Sequence, residues 1–113
     1  MAAAAICSVR GGSKEQMGHA CAMALKNLMG LVCDPVAGLV EVPCVKRNVG
    51  GAVNALAAAD MALAGIASQI PVDQVIDAMG EVGMKMDVSL RETSMGGVAT
   101  SPKGLEIVER LGM

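Results

Sequence analysis

The sequence contains no phenylalanine, tyrosine or tryptophan among its 113 residues. Because aromatic side chains usually supply the largest buried areas, the core must be built from Leu, Val, Ile, Met and Ala. Ten methionines and fourteen glycines indicate closely packed helices whose gaps are filled by flexible thioethers. Such a core buries little area for a chain of this length. We therefore expect the chain to associate with another segment, another subunit or a cofactor.

Charges and long apolar runs are also scarce. The net charge is −2, and no basic stripe suited to nucleic acid is present. The start lacks the basic residues of a signal peptide. Asn54 and Asp60 interrupt the longest apolar stretch, 49–67, which is untypical of a membrane span. These absences predict a cytoplasmic chain that binds neither nucleic acid nor membrane, where four cysteines favour metal or thiol chemistry over disulfides.

Capping residues, glycines and prolines divide the chain into helices. Ser13 with Gln16 has the pattern of a capping box, and Gly30 ends the helix that follows. No segment shows the alternation of a strand. We predict an all-α fold, a small domain of four to five helices with an ordered, buried apolar loop at 31–43. The predicted helices cover 1–9, 13–29, 43–68, 71–86 and 102–111, and a Gly-, Ser- and Thr-rich loop covers 91–101.

The second predicted helix carries an apolar stripe and the only histidine. Cys21 belongs to the stripe and is predicted to lie in the core, whereas His19 and Lys26 lie on the opposite side. His19 is therefore interpreted as a surface or supporting residue rather than a catalytic base. Cys7 receives no assignment. The members of the stripe are Met17, Cys21, Ala24 and Leu28.

Cys33 and Cys44 bracket a proline-stiffened apolar loop, and two interpretations compete for them. Free cysteines are most often small buried apolar residues. A ligand role is favoured because Cys44 lies in the first turn of a helix, where the dipole stabilises a thiolate. Lys46 and Arg47 lie in the same turn, where cations are disfavoured unless an anion is bound nearby. The spacing resembles neither a zinc finger nor the ferredoxin run.

The block from Cys33 to Asn48, CDPVAGLVEVPCVKRN, resembles the signature segment of bacterial iron–sulfur L-serine dehydratases. The segment from Met17 to Cys21, and Leu90 to Thr93 with the following Gly96-Gly97, resemble the same family, so that similarity covers nearly the whole chain. The version found here looks most similar to the separate alpha chain of the two-chain enzymes.

This resemblance implies a [4Fe–4S] cluster held by three cysteines, two of which would be Cys33 and Cys44. In the family the third belongs to an upstream Gly-Cys-Gln motif that this sequence lacks. We therefore expect residues 1–113 to be the C-terminal part of the cluster-binding alpha domain, completed by a beta chain or an upstream domain. The implied second-shell or substrate-binding residues are Lys46, Arg47 and Asn48.

The implied reaction converts L-serine to pyruvate and ammonia, with the open iron acting as a Lewis acid and without pyridoxal phosphate. The catalytic base is not identified in this sequence. We expect Arg91-Glu92-Thr93 to form a structural ion pair with a loop cap. Two alternatives remain: a helical structural module that assembles with another chain and performs no chemistry, and a related iron–sulfur lyase that acts on L-cysteine.

Overall fold

The computed structural model describes all 113 residues, and it confirms the all-α fold. No β-strand is present, and a single isolated bridge pairs Cys33 with Arg91. No helix combines the length and the apolar character that crossing a membrane requires. The five α-helices are α1 (Ala2–Val9), α2 (Lys14–Leu28), α3 (Cys44–Leu63), α4 (Val72–Lys85) and α5 (Pro102–Arg110).

The chain forms two compact units. The first, which we call the helical unit, contains residues 1–30 and 50–84, and the second, the loop unit, contains residues 31–49 and 85–113. The helical unit has a core of very small side chains, which allows helix backbones to approach closely. Its buried members are Ala3, Cys7, Ala20, Met23, Ala55, Ala58, Ala59 and Ala62.

The tightest contact in the helical unit lies between α1 and the start of α2. A Cβ atom placed on Gly12 would lie 2.4 Å from Sγ of Cys7 and 2.9 Å from its carbonyl oxygen. Only glycine fits such an approach. The capping box is confirmed, because Ser13 Oγ accepts from the Gln16 amide at 3.2 Å and Gln16 Oε1 accepts from the Ser13 amide at 2.9 Å.

Two predictions for the helical unit need correction. The helix predicted over 43–68 ends at Leu63 because Gly65, with a φ of 88°, terminates it. The stripe predicted on α2 is also only partly right: Met17 and Ala24 pack against the core, but Ala20 and Met23 are the residues of α2 buried within it, and Cys21 is only half-buried. The buried residues at the closest helix contacts are mainly alanines. A hydrophobic period alone does not distinguish alanine from a larger apolar residue.

The loop unit combines the Cys33–Cys44 loop, the first turns of α3, and the segment that ends in α5. Three short 3-10 turns provide its remaining regular structure, at Val36–Gly38, Val88–Leu90 and Gly97–Thr100. Helix α5 begins with Ser101 as N-cap, whose hydroxyl accepts from the Gly104 amide at 3.2 Å. A Cβ on Gly104 would lie 2.5 Å from the Val98 carbonyl oxygen, so α5 rests directly on that backbone.

The expectation that the apolar loop is buried was only partly right. Val36 is 5% exposed, but Val40 and Val42 are 68% and 51% exposed. Three of its aliphatic residues line a pocket of about 320 Å³ with α5. The pocket contains neither cysteine nor cation, so it is not the candidate metal site. Its lining residues are Val36, Leu39, Glu41, Val42, Ile107 and Leu111.

Candidate functional site

Cys33 has a fixed backbone and an exposed side chain. Its amide donates to the Leu90 carbonyl oxygen at 2.9 Å, and its own carbonyl oxygen accepts from the Glu92 amide at 2.7 Å. Both backbone groups are therefore satisfied by the segment 90–92, as a buried or ordered loop requires. The thiol, in contrast, belongs to an exposed residue. This arrangement presents a sulfur atom from a rigid support.

The loop turns back on itself before it reaches Cys44. The Val36 amide donates to the Val42 carbonyl oxygen at 2.9 Å, and Ala37 and Gly38 have φ values of 57° and 70°. The Val42–Pro43 peptide bond is cis. Cys44 then opens α3 as a half-buried residue. The predicted placement of Cys44 in the first turn of a helix is confirmed, with Pro43 immediately before the helix rather than inside it.

Asp34, which the sequence analysis did not single out, is a buried side chain of the loop unit with hydrogen bonds to both of its carboxylate oxygens. The residue is 2% exposed. Its Oδ2 accepts from the Val98 amide at 2.7 Å, and its Oδ1 accepts from Arg47 Nη1, which also donates to the Val32 carbonyl oxygen at 3.0 Å. Burial favours the neutral acid, but the Val98 and Arg47 hydrogen bonds outweigh it and lower the pKa of Asp34. Asp34 is therefore a buried, paired carboxylate.

The segment 94–98 closes around this carboxylate. Ser94 Oγ donates to the Pro35 carbonyl oxygen at 2.6 Å. A Cβ on Gly97 would lie 2.1 Å from Asp34 Oδ2, and the φ of Gly97 is 62°. Glycine is required at this position for both reasons. Two features of the sequence could have indicated this contact: an acidic residue in an apolar loop, and the Gly96-Gly97 pair.

The charges around Cys33 are mostly negative. Loss of hydration raises the pKa of its thiol most, and the charges of Glu92, Cys44 and Asp34 raise it further, whereas Arg47 opposes them. A bound cation would act in the opposite direction and favour the thiolate of Cys33. The donor set of the loop unit therefore fits iron, although no group of three His, Cys, Asp or Glu side chains in the chain could hold a metal.

The three predicted second-shell residues differ in their surroundings. Arg47 is engaged with Asp34 and Val32. Lys46 and Asn48 are exposed. On a helix, residues three and four positions apart share a face, so Arg47 and Asn48 lie on the Cys44 face of α3. Lys46, two positions from Cys44, lies away from it.

His19 is in the helical unit and has a structural partner. Its Nδ1 accepts from the Ser68 amide at 3.1 Å, while Lys26 Nζ donates to Ser68 Oγ at 2.9 Å. Ser68 Oγ donates in turn to the Ile70 carbonyl oxygen at 2.7 Å. These bonds hold the loop between α3 and α4, which agrees with a supporting role for His19.

The two remaining cysteines are also in the helical unit. Cys7 is completely buried in the core, whereas Cys21 is half-buried and outside the core cluster. Neither belongs to the loop unit that carries Cys33 and Cys44. The structure therefore separates the four thiols into one pair on the candidate site and two residues elsewhere.

The structure shows no ion pair between Arg91 and Glu92, so that prediction is wrong, but the predicted loop cap is present. Thr93 Oγ1 donates to the Val88 carbonyl oxygen at 2.9 Å. Arg91 instead helps to lower the pKa of Asp87, after the larger effects of hydrogen bonds from Ser89. Glu92, with a φ of 65°, uses its backbone amide to hold Cys33.

Comparison with known proteins identifies the family. The sequence model described as serine dehydratase alpha chain matches residues 1–99. The chain belongs to the serine dehydratase alpha-chain family. It is 61% identical over 111 residues to a probable L-serine dehydratase alpha chain of Bacillus subtilis. It is 59% identical over 107 residues to a protein of the same description from Latilactobacillus sakei, and 46% identical over 100 residues to L-serine dehydratase 1 of Escherichia coli.

The coverage of these family members is unequal. The matches include 98%, 95% and 88% of this chain but only 37%, 51% and 22% of the respective relatives. The chain therefore spans at most about half the length of these three relatives. The matches to the first two relatives extend over nearly all of both the helical unit and the loop unit.

Proposed function

We propose that this chain forms part of an iron–sulfur L-serine ammonia-lyase in which Cys33 and Cys44 supply two thiolate ligands of a [4Fe–4S] cluster. One observation carries the proposal: Cys33 is an exposed residue whose backbone is held by two hydrogen bonds to the segment 90–92, and the hydrogen bond between Asp34 and Arg47 connects its loop to the helix that Cys44 opens. Three relatives described as L-serine dehydratases support the substrate.

The third thiolate comes from another segment or another chain, because no three metal-binding side chains converge in these residues. The description of the relatives as alpha chains supports a partner polypeptide. An upstream domain or a beta chain would satisfy the same requirement. The complete enzyme is thus the unit in which catalysis must be measured.

The reaction removes the α-proton and the β-hydroxyl of L-serine, and hydrolysis of the product releases pyruvate and ammonia with no net consumption of water. When bound, the cluster supplies a Lewis acid that activates the hydroxyl as a leaving group. Within this chain, Cys33 and Cys44 would hold the group. Asn48, on the Cys44 face of α3, is available to the substrate carboxylate.

The test replaces each proposed ligand in the complete enzyme. Cys33→Ala and Cys44→Ala should each abolish the sulfur-to-iron charge-transfer absorbance after anaerobic reconstitution, together with L-serine deamination. Cys21→Ala is the matched control, since Cys21 is half-buried in the helical unit, and it should retain both signals. Full iron content in both ligand variants would overturn the proposal. Assays with L-cysteine in parallel decide between the two substrates.

A second candidate, a module that only assembles with another chain, is favoured by one surface of α3. Val49, Val53 and Leu56 follow one another at helical spacing and are 63%, 59% and 43% exposed. Val53→Glu should weaken association with the partner chain without changing the helical circular dichroism. If assembly is lost while both ligand variants remain active, the structural interpretation replaces the catalytic one.

A further inference from the structure

Asp34 and Cys33 are neighbours with opposite environments. Cys33 is exposed, whereas the side chain of Asp34 is 1% exposed. A buried carboxylate is costly unless it is paired and hydrogen-bonded, and Asp34 has both kinds of partner. Because Asp34 directly follows Cys33 in the chain, the hydrogen bonds that hold Asp34 also restrict the position of Cys33.

The Asp34 carboxylate connects the supports of both proposed ligands. Arg47, which donates to Oδ1, lies in α3 three residues after Cys44, and Val98, which donates to Oδ2, follows the Gly96-Gly97 pair. One side chain thereby joins the strand-like backbone of Cys33, the helix that begins at Cys44, and the segment 94–98. The absence of a side chain at Gly97 leaves the space that the carboxylate fills.

We propose that Asp34 is a positioning residue that, through Arg47, fixes the relative placement of the Cys33 and Cys44 thiols before metal binds. This inference rests on the function proposed above. Outer-shell carboxylates commonly orient metal ligands, and a site held within a fraction of an ångström needs such support. Asp34 itself touches neither substrate nor metal in this scheme.

The test measures convergence of the two thiols without iron. Phenylarsine oxide condenses with two neighbouring thiols, forming two As–S bonds and releasing one water. In the iron-free complete enzyme, it should link Cys33 to Cys44, identified by mass spectrometry of the peptides. Asp34→Asn and Arg47→Gln should slow this reaction at least tenfold, and the double variant should be no slower than the slower single variant, as expected for one shared interaction.

Iron retention gives an independent readout on the reconstituted enzyme. Iron should transfer to a chelator about 10- to 100-fold faster from Asp34→Asn than from the wild type. Asp77→Asn is the matched control, because Asp77 is exposed on α4, and both of its rates should equal those of the wild type. If Asp34→Asn loses the helical circular-dichroism signal, Arg47→Gln decides, since its side chain is 31% exposed.

The outcomes separate this inference from the proposed function. If phenylarsine oxide fails to link the two cysteines in the wild type and iron survives in Cys33→Ala, the metal-ligand assignment fails. If the wild type is linked but Asp34→Asn and Arg47→Gln are linked at the same rate and keep their iron, the positioning role alone is overturned.

Discussion

The interactions that stabilise the helical unit internally differ from those that stabilise the loop unit internally. The main buried cluster of the helical unit consists of alanines with one cysteine and one methionine, so it depends on close apolar packing. The loop unit instead depends on polar bonds between distant segments, centred on the buried Asp34. Packing of small side chains therefore dominates in the helical unit, and paired polar groups dominate in the loop unit.

Backbone strain shows the same division. The three non-glycine residues with positive φ are Ala37, Glu92 and Ser94, and all three belong to the loop unit. Such conformations are unfavourable for residues with a Cβ and tend to occur at functional sites. Ala37 lies in the loop that follows Cys33. The Glu92 amide donates to the Cys33 carbonyl oxygen, and Ser94 Oγ donates to the Pro35 carbonyl oxygen. This concentration supports a functional role for the loop unit.

The largest expected effect comes from Gly97→Ala, which should lower the free energy of unfolding by about 3 kcal/mol or more. The new Cβ would overlap Asp34 Oδ2 and force the paired carboxylate out of its place. Gly80→Ala is the control, since nothing lies within 4 Å of a Cβ there and alanine favours a helix by about 0.5–1 kcal/mol. Urea denaturation should give shifts of opposite sign, and equal shifts would contradict this explanation.

In the helical unit, Gly12→Ala should lower the free energy of unfolding by about 1–3 kcal/mol, as overpacking usually does. The clash is with Sγ of Cys7 and, at 2.9 Å, with its carbonyl oxygen. Adding Cys7→Ala should therefore recover part of the loss, making the double variant less destabilised than the sum of the two singles. Thermal melts would measure this coupling, and strict additivity would show that the two residues do not compete for space.

Removal of a helix N-cap should lower the free energy of unfolding by a smaller amount, which should be similar in the two units. Ser13→Ala removes the cap of α2, and Ser101→Ala removes the cap of α5. Each should lower the free energy of unfolding by about 1 kcal/mol. Denaturation midpoints of the two variants can be compared directly. A loss several times larger for Ser101 would mean that its additional bond to Val98 contributes more to the loop unit than the cap does.

The smallest expected effect concerns the charge on Cys33 in the iron-free protein. Because the carboxylate of Glu92 helps to raise the pKa of this thiol, Glu92→Gln should lower that pKa. More thiolate would then be present at a given mildly alkaline pH, and iodoacetamide should alkylate Cys33 a few-fold faster. Glu109→Gln on α5, an exposed position, should leave the rate unchanged. A slower reaction in Glu92→Gln would contradict the sign of this effect.

Local signals in the sequence predicted most of the helices. Ser13 with Gln16, Pro102 and the glycines supplied starts and ends that the structure confirms, apart from the early end of α3 at Leu63. The arrangement of the loop unit depends on contacts between distant residues, such as Asp34 with Val98, 64 positions apart. Spacing along one chain does not encode such pairs, so Asp34 was missed although Cys33 and Cys44 were identified. Their role as ligands remains a prediction.

Because Gly97 has no side chain, the substitutions that are tolerated at positions 97 and 34 depend on each other. Any residue other than glycine there collides with the carboxylate of Asp34, and a shorter residue at 34 would leave Arg47 without its counterion. A substitution at either position alone should therefore disturb the buried contact between Asp34, Arg47 and the segment 94–98. A genetic screen for suppressors of a Gly97 variant should therefore recover second changes at position 34 or 47 rather than in the alanine core.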